Sequence, residues 1–407
     1  MTHRFPVSAF FRLPAGAAVP TVLLLCALSA APLWASSASM IPTEALVEGG
    51  RYAAEEADDD SLAIKVGQML MAGFRGTQIT DESPIAKELQ TLHLGGVILF
   101  DFDVERKQYG RNIVSPRQVQ ELTSALQDQA TLPLFIAIDQ EGGTVRRFKE
   151  RNGFPPTVSH KKLGSIDNVD TTRYHAEVMA RSIAVVGVNT NFAPVLDLDS
   201  NPDNPVIGKL GRSFSADPSV VTRHGEIMLD AHHAVGLFCA VKHFPGHGSS
   251  HHDSHEGFVD VSDTWTSTEL EPFAALIAKG KCDMVMTAHI FNRHLDPQYP
   301  ATLSAATIDG LLRRDLGFDG VVVTDDMMMK AITDHYGLET AIEKAVLAGA
   351  DILLFANNSF TYDEEISRRA YDTLLSLVRN GRISPERINR SWMRIRALKE
   401  RLARMSD

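Results

Sequence analysis

The stretch KHFPGHGSSHHDSHEG, residues 242–257, gathers five histidines and two acidic residues in a segment without helix or strand periodicity. Pro245 and Gly246 favour turns, and a loop of this length with few apolar residues is mobile or functional. Imidazole groups bind metal ions or transfer protons near neutral pH, so the residue types allow either chemistry. Asp253 lies two residues before His255, which places a carboxylate where it can orient and charge-stabilise an acid/base imidazole.

Polar residues also stand at the ends of other apolar runs of strand length. They are Asp139, Asp197, Asp199, Lys242, His243, His289, Asp325 and Asp326. A lysine such as Lys242 among aliphatic residues is costly unless it is paired or binds a ligand. Because side chains alternate along a strand, we expect at most one of the adjacent Asp325 and Asp326 to face this common end. The other would cap the helix that follows.

Eight apolar runs alternate with helical patterns from Ser61 onwards. The runs are Leu70–Phe74, Gly95–Phe102, Leu132–Asp139, Val188–Leu198, Leu237–Phe244, Asp283–Ile290, Gly320–Asp326 and Asp351–Asn357. Several are continuously apolar, which is typical of parallel strands covered by helices on both faces. The alternation predicts an α/β fold, a single (β/α)8 TIM-type barrel with a C-terminal helical extension. In such a barrel, functional side chains collect at the carboxyl ends of the strands.

The composition narrows the class of ligand. The chain has 407 residues and a formal net charge of -11, so it offers no positive field for phosphates, and nucleic acid is not an expected partner. A neutral ligand fits this charge better. Cys239 and Cys282 each lie beside an apolar run, and we expect two buried thiols, although a bond between them stays open in an exported protein.

The first residues have the layout of an export signal. Arg4 and Arg12 precede an apolar run at 22–33, and small residues suitable for cleavage follow it. The run is shorter than the roughly 20 residues that span a bilayer, which favours a signal over a membrane anchor. Lipid attachment at Cys26 is less favoured, because the bulky Leu25 precedes it.

Three segments are therefore predicted. Residues 1–35 form the export signal peptide, residues 36–60 a flexible acidic leader, and residues 61–407 the barrel domain. The protein is expected to be exported, either periplasmic or secreted, with lipid anchoring less favoured. We expect no stable membrane partner and a monomer.

Five segments of the barrel follow one another in the order of a known family. They are DQEGGTVRRF from Asp139, NFAPVLDLDSNPDNPVIGKLGRSF from Asn191, KHFPGHGSSHHDSH from Lys242, MTAHI from Met286 and GVVVTDDMMMKAI from Gly320. These segments resemble glycoside hydrolase family 3, and within it the bacterial β-N-acetylglucosaminidases. KHFPGHG followed by DSH is the most specific of them. The resemblance implies hydrolysis of terminal non-reducing β-linked N-acetylglucosamine, expected from peptidoglycan fragments, without a metal or other cofactor.

The resemblance also implies the role of eight residues. Asp325 matches the catalytic nucleophile, His255 the general acid/base, and Asp253 its dyad partner. The residues that match the family's sugar-binding positions are Asp139, Arg147, Arg212, Lys242 and His243. A retaining glycosidase needs a nucleophilic carboxylate and a second group that protonates the leaving oxygen and then deprotonates water.

Other functions stay open at this point. The histidines of the loop, with Asp253, could hold a metal ion in a barrel hydrolase, although the first strand lacks the paired histidines common in metal barrels. A non-catalytic protein that binds wall sugars is a second alternative, although all three catalytic positions hold competent residues. Family 3 activity on glucose or xylose is a third, and the DSH tripeptide speaks against it. His251 and His252 receive no predicted role.

Overall fold

The computed structural model describes residues 62–406 of the chain. The predicted signal peptide and leader lie outside this range, so their boundaries remain predictions. Within the range, no helix is both long enough and apolar enough to cross a bilayer.

Eight parallel strands form the centre of the described chain. They are β1 (Leu70–Gly73), β2 (Gly96–Leu99), β3 (Phe135–Ile138), β4 (Thr190–Asn191), β5 (Phe238–Phe244), β6 (Met284–Thr287), β7 (Val321–Thr324) and β8 (Leu353–Phe355). Hydrogen bonds join them in the order β7-β6-β5-β4-β3-β2-β1-β8. Val323 of β7 bridges to Ile352 beside β8, which nearly closes the ring. The predicted (β/α)8 barrel is confirmed.

Each strand falls inside a predicted apolar run but is shorter than that run. The largest difference is in Val188–Leu198, where only Thr190–Asn191 form regular ladder pairs. Pro194 has no N–H to donate and interrupts the ladder. Pairing resumes at Val195, which bridges to Lys242 of β5.

Helices connect the strands and cover the outside of the barrel. Their bounds are Leu62–Gln68, Pro84–Thr91, Pro116–Gln129, His160–Ile166, Val169–Ala184, Pro218–His233, Glu271–Ala278, Ala306–Asp315, Lys330–Thr333, Leu338–Ala348, Ile366–Arg379 and Pro385–Ser406. The side chains of Ser115, Ser159, Asn168 and Asp217 accept hydrogen bonds from first-turn backbone N–H groups. These caps fix where four of the helices begin.

Two small sheets lie outside the ring of strands. One is an antiparallel hairpin of Phe102–Asp103 with Gln108–Tyr109, directly after β2. The other is a parallel pair of Val259–Asp260 with Ile290–Phe291, beyond β5 and β6. Both follow carboxyl ends of barrel strands, the end at which polar residues are expected to gather.

The helix Pro385–Ser406 is bonded to the amino-terminal side of the barrel. Lys399 Nζ donates to Gln68 Oε1 at 2.6 Å and to the Gly95 carbonyl at 2.9 Å, so this helix is joined to the start of β1 and β2. The buried Asp351 accepts bonds from Ser391 Oγ at 2.7 Å and from Arg313 at 2.6 Å. The extension is thus part of the barrel's packing.

Cys239 and Cys282 are free thiols, with Cys239 fully buried in β5. Burial raises the pKa of the Cys282 thiol to about 12 and that of Cys239 well above its usual value. Because thiolates are the reactive form, both thiols are expected to be inert.

Candidate active site

A cavity of about 380 Å³ opens at the carboxyl ends of the strands. All eight residues predicted for the site line it: Asp139, Arg147, Arg212, Lys242, His243, Asp253, His255 and Asp325. They come from segments spread over nearly 190 positions of the sequence, and the barrel brings them together because its strand ends meet at one face.

Five of the charged residues at the site form one bonded group, the charged cluster, which consists of Asp139, Glu141, Arg147, Arg212 and Lys242. Lys242 Nζ lies 2.8 Å from both Asp139 Oδ1 and Glu141 Oε1. Arg147 donates to the other oxygen of Asp139 at 3.1 Å. Arg212 makes two bonds to Glu141, at 2.7 and 2.8 Å, in the bidentate geometry that fixes a guanidinium most firmly.

The charged cluster stays ionised, although Glu141 and Lys242 are buried and its other members are partly buried. Burial by itself raises the pKa of Asp139, but the charges of Lys242 and Arg147 outweigh burial and hold the pKa at about 2. Burial likewise opposes ionisation of Glu141, and Arg212 and Lys242 bring its pKa far below the usual range. Fixed charges of this kind present strong hydrogen-bonding groups to a ligand without rearranging first.

His243 is held by a carboxylate behind it. Its Nδ1 lies 2.6 Å from Asp197 Oδ2, and its backbone N–H donates to Asp197 Oδ1 at 3.1 Å. Because Asp197 accepts, Nδ1 carries the proton, and His243 Nε2 accepts from Arg212 at 3.2 Å. His243 is thereby joined to the charged cluster in one fixed tautomer.

Asp325 follows the last residue of β7 and lies in the cavity wall. Its Oδ1 accepts from the Asp326 backbone N–H at 2.8 Å. Burial raises the pKa of Asp325, but the neighbouring imidazoles of His289, His243 and His255 reverse this and lower it below its usual value. The side chain is therefore a carboxylate at neutral pH, as a nucleophile requires.

Asp325 and Asp326 both lie among the residues that line the cavity, after β7 ends at Thr324. Asp326 Oδ1 accepts from the backbone N–H groups of Met328 and Ala356, at 3.0 and 2.9 Å. It therefore has much of the capping role that we expected for one of the pair.

Asp253 and His255 form a hydrogen-bonded dyad. Asp253 Oδ1 accepts from both the backbone N–H and the Nδ1 of His255, at 2.8 and 2.7 Å. The His255 side chain is 61% exposed, against 24% for Asp253. Partial desolvation lowers the pKa of His255, but the hydrogen bond to Asp253 and the charges of Asp325 and Asp253 together outweigh it, and the net shift of the pKa is upward. His255 can thus carry a proton at neutral pH and present Nε2 to a ligand.

The sequence of the chain matches a known protein family. The model of the glycosyl hydrolase family 3 N terminal domain matches residues 61–398. The chain belongs to this family. The resemblance inferred from the sequence is confirmed.

Similar proteins are named beta-hexosaminidases or beta-N-acetylglucosaminidases. Beta-hexosaminidase A of Pseudoalteromonas piscicida is 34% identical over 382 residues, which cover 84% of this chain and 61% of that protein. The beta-hexosaminidase of Idiomarina loihiensis is 36% identical over 296 residues, with 71% and 84% covered. Among solved structures, the family 3 beta-N-acetylglucosaminidase from Paenibacillus sp. str. FPU-7 superposes with a TM-score of 0.76 at 40% identity, over 84% of this chain and 63% of that one. The chain thus spans about three fifths of two of these proteins.

Besides Asp326, two carboxylates of this family 3 site were not among the eight predicted site residues. Glu141 belongs to the charged cluster, and Asp101, after β2, lines the cavity and accepts from Lys149 Nζ at 2.6 Å. A signal for Glu141 was its place in DQEGG, the polar segment that follows β3 and begins with Asp139. Asp101 was marked by its place after the apolar residues of β2, like the other strand-end residues.

Two of the remaining histidines in residues 242–257 have separate partners. His247 is buried and contacts Ser250 and Ser254, and His251 lies 3.2 Å from the side chain of Asn201. In residues 62–406, no three His, Cys, Asp or Glu side chains are grouped so that they could hold a metal ion.

Proposed function

We propose that the chain is a retaining exo-β-N-acetylglucosaminidase that hydrolyses terminal non-reducing β-linked N-acetylglucosamine. The observation that carries this proposal is that one cavity is lined by a carboxylate, Asp325, and by an imidazole held by its own carboxylate, His255 with Asp253. These are the two groups that a double displacement at an anomeric carbon requires. The names of the family 3 relatives support the choice of sugar.

The first half of the reaction transfers the sugar to the enzyme. Asp325 attacks the anomeric carbon while the His255 imidazolium donates its Nε2 proton to the glycosidic oxygen, and the bond to the leaving group breaks. Asp253 accepts from Nδ1 throughout, which keeps Nε2 directed to the substrate and stabilises the imidazolium.

The second half releases the sugar. Neutral His255 takes a proton from water, the water oxygen bonds to the anomeric carbon, and the bond to Asp325 breaks. Two inversions at one carbon return the β configuration. An imidazole suits both steps because its two protonation states lie close in free energy near neutral pH.

The cavity fits the end of a saccharide chain. Side chains of the strands and of the residue after β4 form its apolar inner surface: Ile98, Phe192, Met286 and Leu354. A barrel interior is packed, so the cavity is closed on the side of the barrel interior, which suits binding of a terminal sugar residue. Hydroxyl and acetamido groups would bond to the charged cluster and His243, which gives a neutral sugar charge-assisted hydrogen bonds.

Peptidoglycan fragments are the proposed natural source of the substrate. This part rests on the export signal pattern at residues 1–35, which would place the enzyme outside the cytoplasm with the cell wall. The same pattern supports a periplasmic or secreted location.

Three measurements test the activity. The first compares nitrophenol release from the β-N-acetylglucosaminide and the β-glucoside, and we expect the former to dominate. Comparable rates would favour the alternative of a family 3 enzyme for another sugar. The second follows the first-formed anomer of the product by NMR, where initial α-anomer would contradict retention. Loss of activity in chelator would favour the metal-dependent alternative.

A further inference from the structure

Ser254 lies between the two dyad residues and is buried, although the residues on both sides of it are partly or fully exposed. We call residues 245–258 the acid/base loop. Its first part, 245–250, is buried, whereas most of 251–258 is partly or fully exposed. Ser254 is only 2% exposed, although the next side chain, His255, is 61% exposed. A buried residue at this position implies that the loop is fastened there.

Two hydrogen bonds fasten Ser254, one on each side. Its Oγ lies 3.2 Å from His247 Nε2, in the buried first part of the same loop. Its carbonyl accepts from the backbone N–H of Ala331 at 3.4 Å, in the segment that follows Asp325 along the chain. The dyad is thus tied to the loop's own base and to the segment that carries the proposed nucleophile.

His247 in turn is fixed to the barrel. Its backbone N–H donates to Asp197 Oδ1 at 2.8 Å, and its Nδ1 lies 2.9 Å from Ser250 Oγ. Ser250 Oγ also accepts from the side chain of the buried Asn204 at 3.0 Å. Burial lowers the pKa of His247 to about 4, so it is neutral and has one donor and one acceptor nitrogen for the two serine hydroxyls.

We propose that Ser254 is a positioning residue, which fastens the acid/base loop through His247 so that His255 stands in the cavity with Asp325. Ser254 itself is not among the described residues that line the cavity, so it acts through His255. The inference rests on the proposed acid/base role of His255. It assigns a function to His247, which the resemblance leaves without one.

The test is Ser254→Ala, assayed on two substrates. One is the nitrophenyl β-N-acetylglucosaminide, whose leaving group departs without protonation. The other is the disaccharide of two β-1,4-linked N-acetylglucosamines, whose leaving group needs a proton. Loss of one hydrogen bond corresponds to roughly a tenfold effect, so we expect kcat/KM to fall about tenfold on the disaccharide and less than about twofold on the nitrophenyl glycoside.

A double variant separates positioning from general damage. If Ser254 acts only through His255, Ser254→Ala/His255→Ala matches His255→Ala alone within about twofold. A further loss in the double variant, or equal losses of Ser254→Ala on both substrates, overturns the proposal. So does an unchanged rate on the disaccharide.

Two more variants control for nonspecific effects and for failure to fold. Ser182→Ala removes another buried serine hydroxyl, which bonds within the helix Val169–Ala184, and is expected to leave both rates unchanged. If Ser254→Ala does not fold, Ser254→Cys keeps the volume and a weak donor, and should fall between wild type and the predicted tenfold loss on the disaccharide.

The variant His255→Ala shows whether a negative result rejects the acid/base role of His255 or only the positioning role of Ser254. Equal losses of His255→Ala on both substrates would remove the acid/base role and with it the basis of this inference. A selective loss in His255→Ala, with no effect of Ser254→Ala, would leave the proposed function standing and reject Ser254 alone.

Discussion

The charged cluster and the acid/base loop hold their side chains in opposite ways. In the charged cluster, Lys242 is shared between two carboxylates and Arg212 makes two bonds to one of them. In the loop, the backbone N–H and the Nδ1 of His255 both bond to Asp253, and most of the imidazole is exposed.

The difference follows from what each region must do. A buried ion cannot leave its partners without a large desolvation cost, so the charged cluster keeps one geometry. His255 acts twice in the proposed cycle, and the leaving group must depart and water enter between the two steps. A half-exposed side chain on a loop can shift at low cost, which suits this exchange.

The largest effect is expected at Asp325, which lines the same cavity but belongs to neither of the two regions. Asp325→Ala removes the carboxylate that would attack the sugar, and we expect kcat to fall at least roughly a thousandfold on both the nitrophenyl glycoside and the disaccharide. Activity near the wild-type level in steady-state assays would exclude Asp325 as the nucleophile. A loss on the disaccharide alone would likewise disagree, because the nucleophile acts whatever the leaving group.

The rigidity of the charged cluster is tested by Glu141→Gln. Arg212 and Lys242 would keep their charges but lose the carboxylate that both contact, and breaking a buried ion pair costs about 3 to 5 kcal/mol of unfolding free energy. Denaturant unfolding measures this cost. KM should rise because Arg212 and Lys242, which we propose bind the sugar, lose the carboxylate that holds them. The exposed pair of Glu82 with Lys87 supplies the control, since Glu82→Gln should leave the unfolding curve unchanged.

A change in the acid/base loop is expected to slow only the substrate whose leaving group needs a proton. His255→Ala should lower kcat/KM on the disaccharide by about a hundredfold, the lower range for a general acid, with a much smaller loss on the nitrophenyl glycoside. The fold should be unaffected, because the side chain is mostly exposed. A large fall in melting temperature would show that the loop is structural, and the contrast with the charged cluster would then disappear.

The smallest effect concerns pH. Asp253 raises the pKa of His255, so Asp253→Asn should lower that pKa. The protonated acid is then lost at lower pH, and the alkaline limb of the kcat/KM profile should move to lower pH. Asp263→Asn, which removes an exposed acid paired with Arg293, is the control and should leave the profile in place. A limb that stays fixed in Asp253→Asn would mean that another group sets it.

The sequence predicted the barrel well because its signal is local. An apolar run marks the place of every strand, although not every run is continuously apolar, and each strand lies within its predicted run. The ends differed where hydrogen bonding decides, as at Pro194, which interrupts the β4 ladder. The eight predicted site residues also lie together, because the carboxyl ends of all the strands lie at one face of a parallel barrel.

What the sequence does not show are bonds between distant segments. The link from His247 to Ser254 depends on how the loop folds back on itself, and the bond to Ala331 depends on packing against another strand's connection. Asp326 illustrates a related limit, because its bonds to the backbone of Met328 and Ala356 depend on how the chain turns after β7 ends. Glu141 could have been found by its place beside Asp139 in the polar segment DQEGG after β3.

The bonds from Lys399 to Gln68 and to Gly95 have a consequence for how the chain is made. They join residues 331 and 304 positions apart, so the packing beneath β1 and β2 waits for a helix that is synthesised about 300 residues later. Contacts of such long sequence separation slow folding. On the ribosome, the early strands must therefore remain without this cover until the helix Pro385–Ser406 has emerged, and apolar strands left uncovered in this way are prone to association.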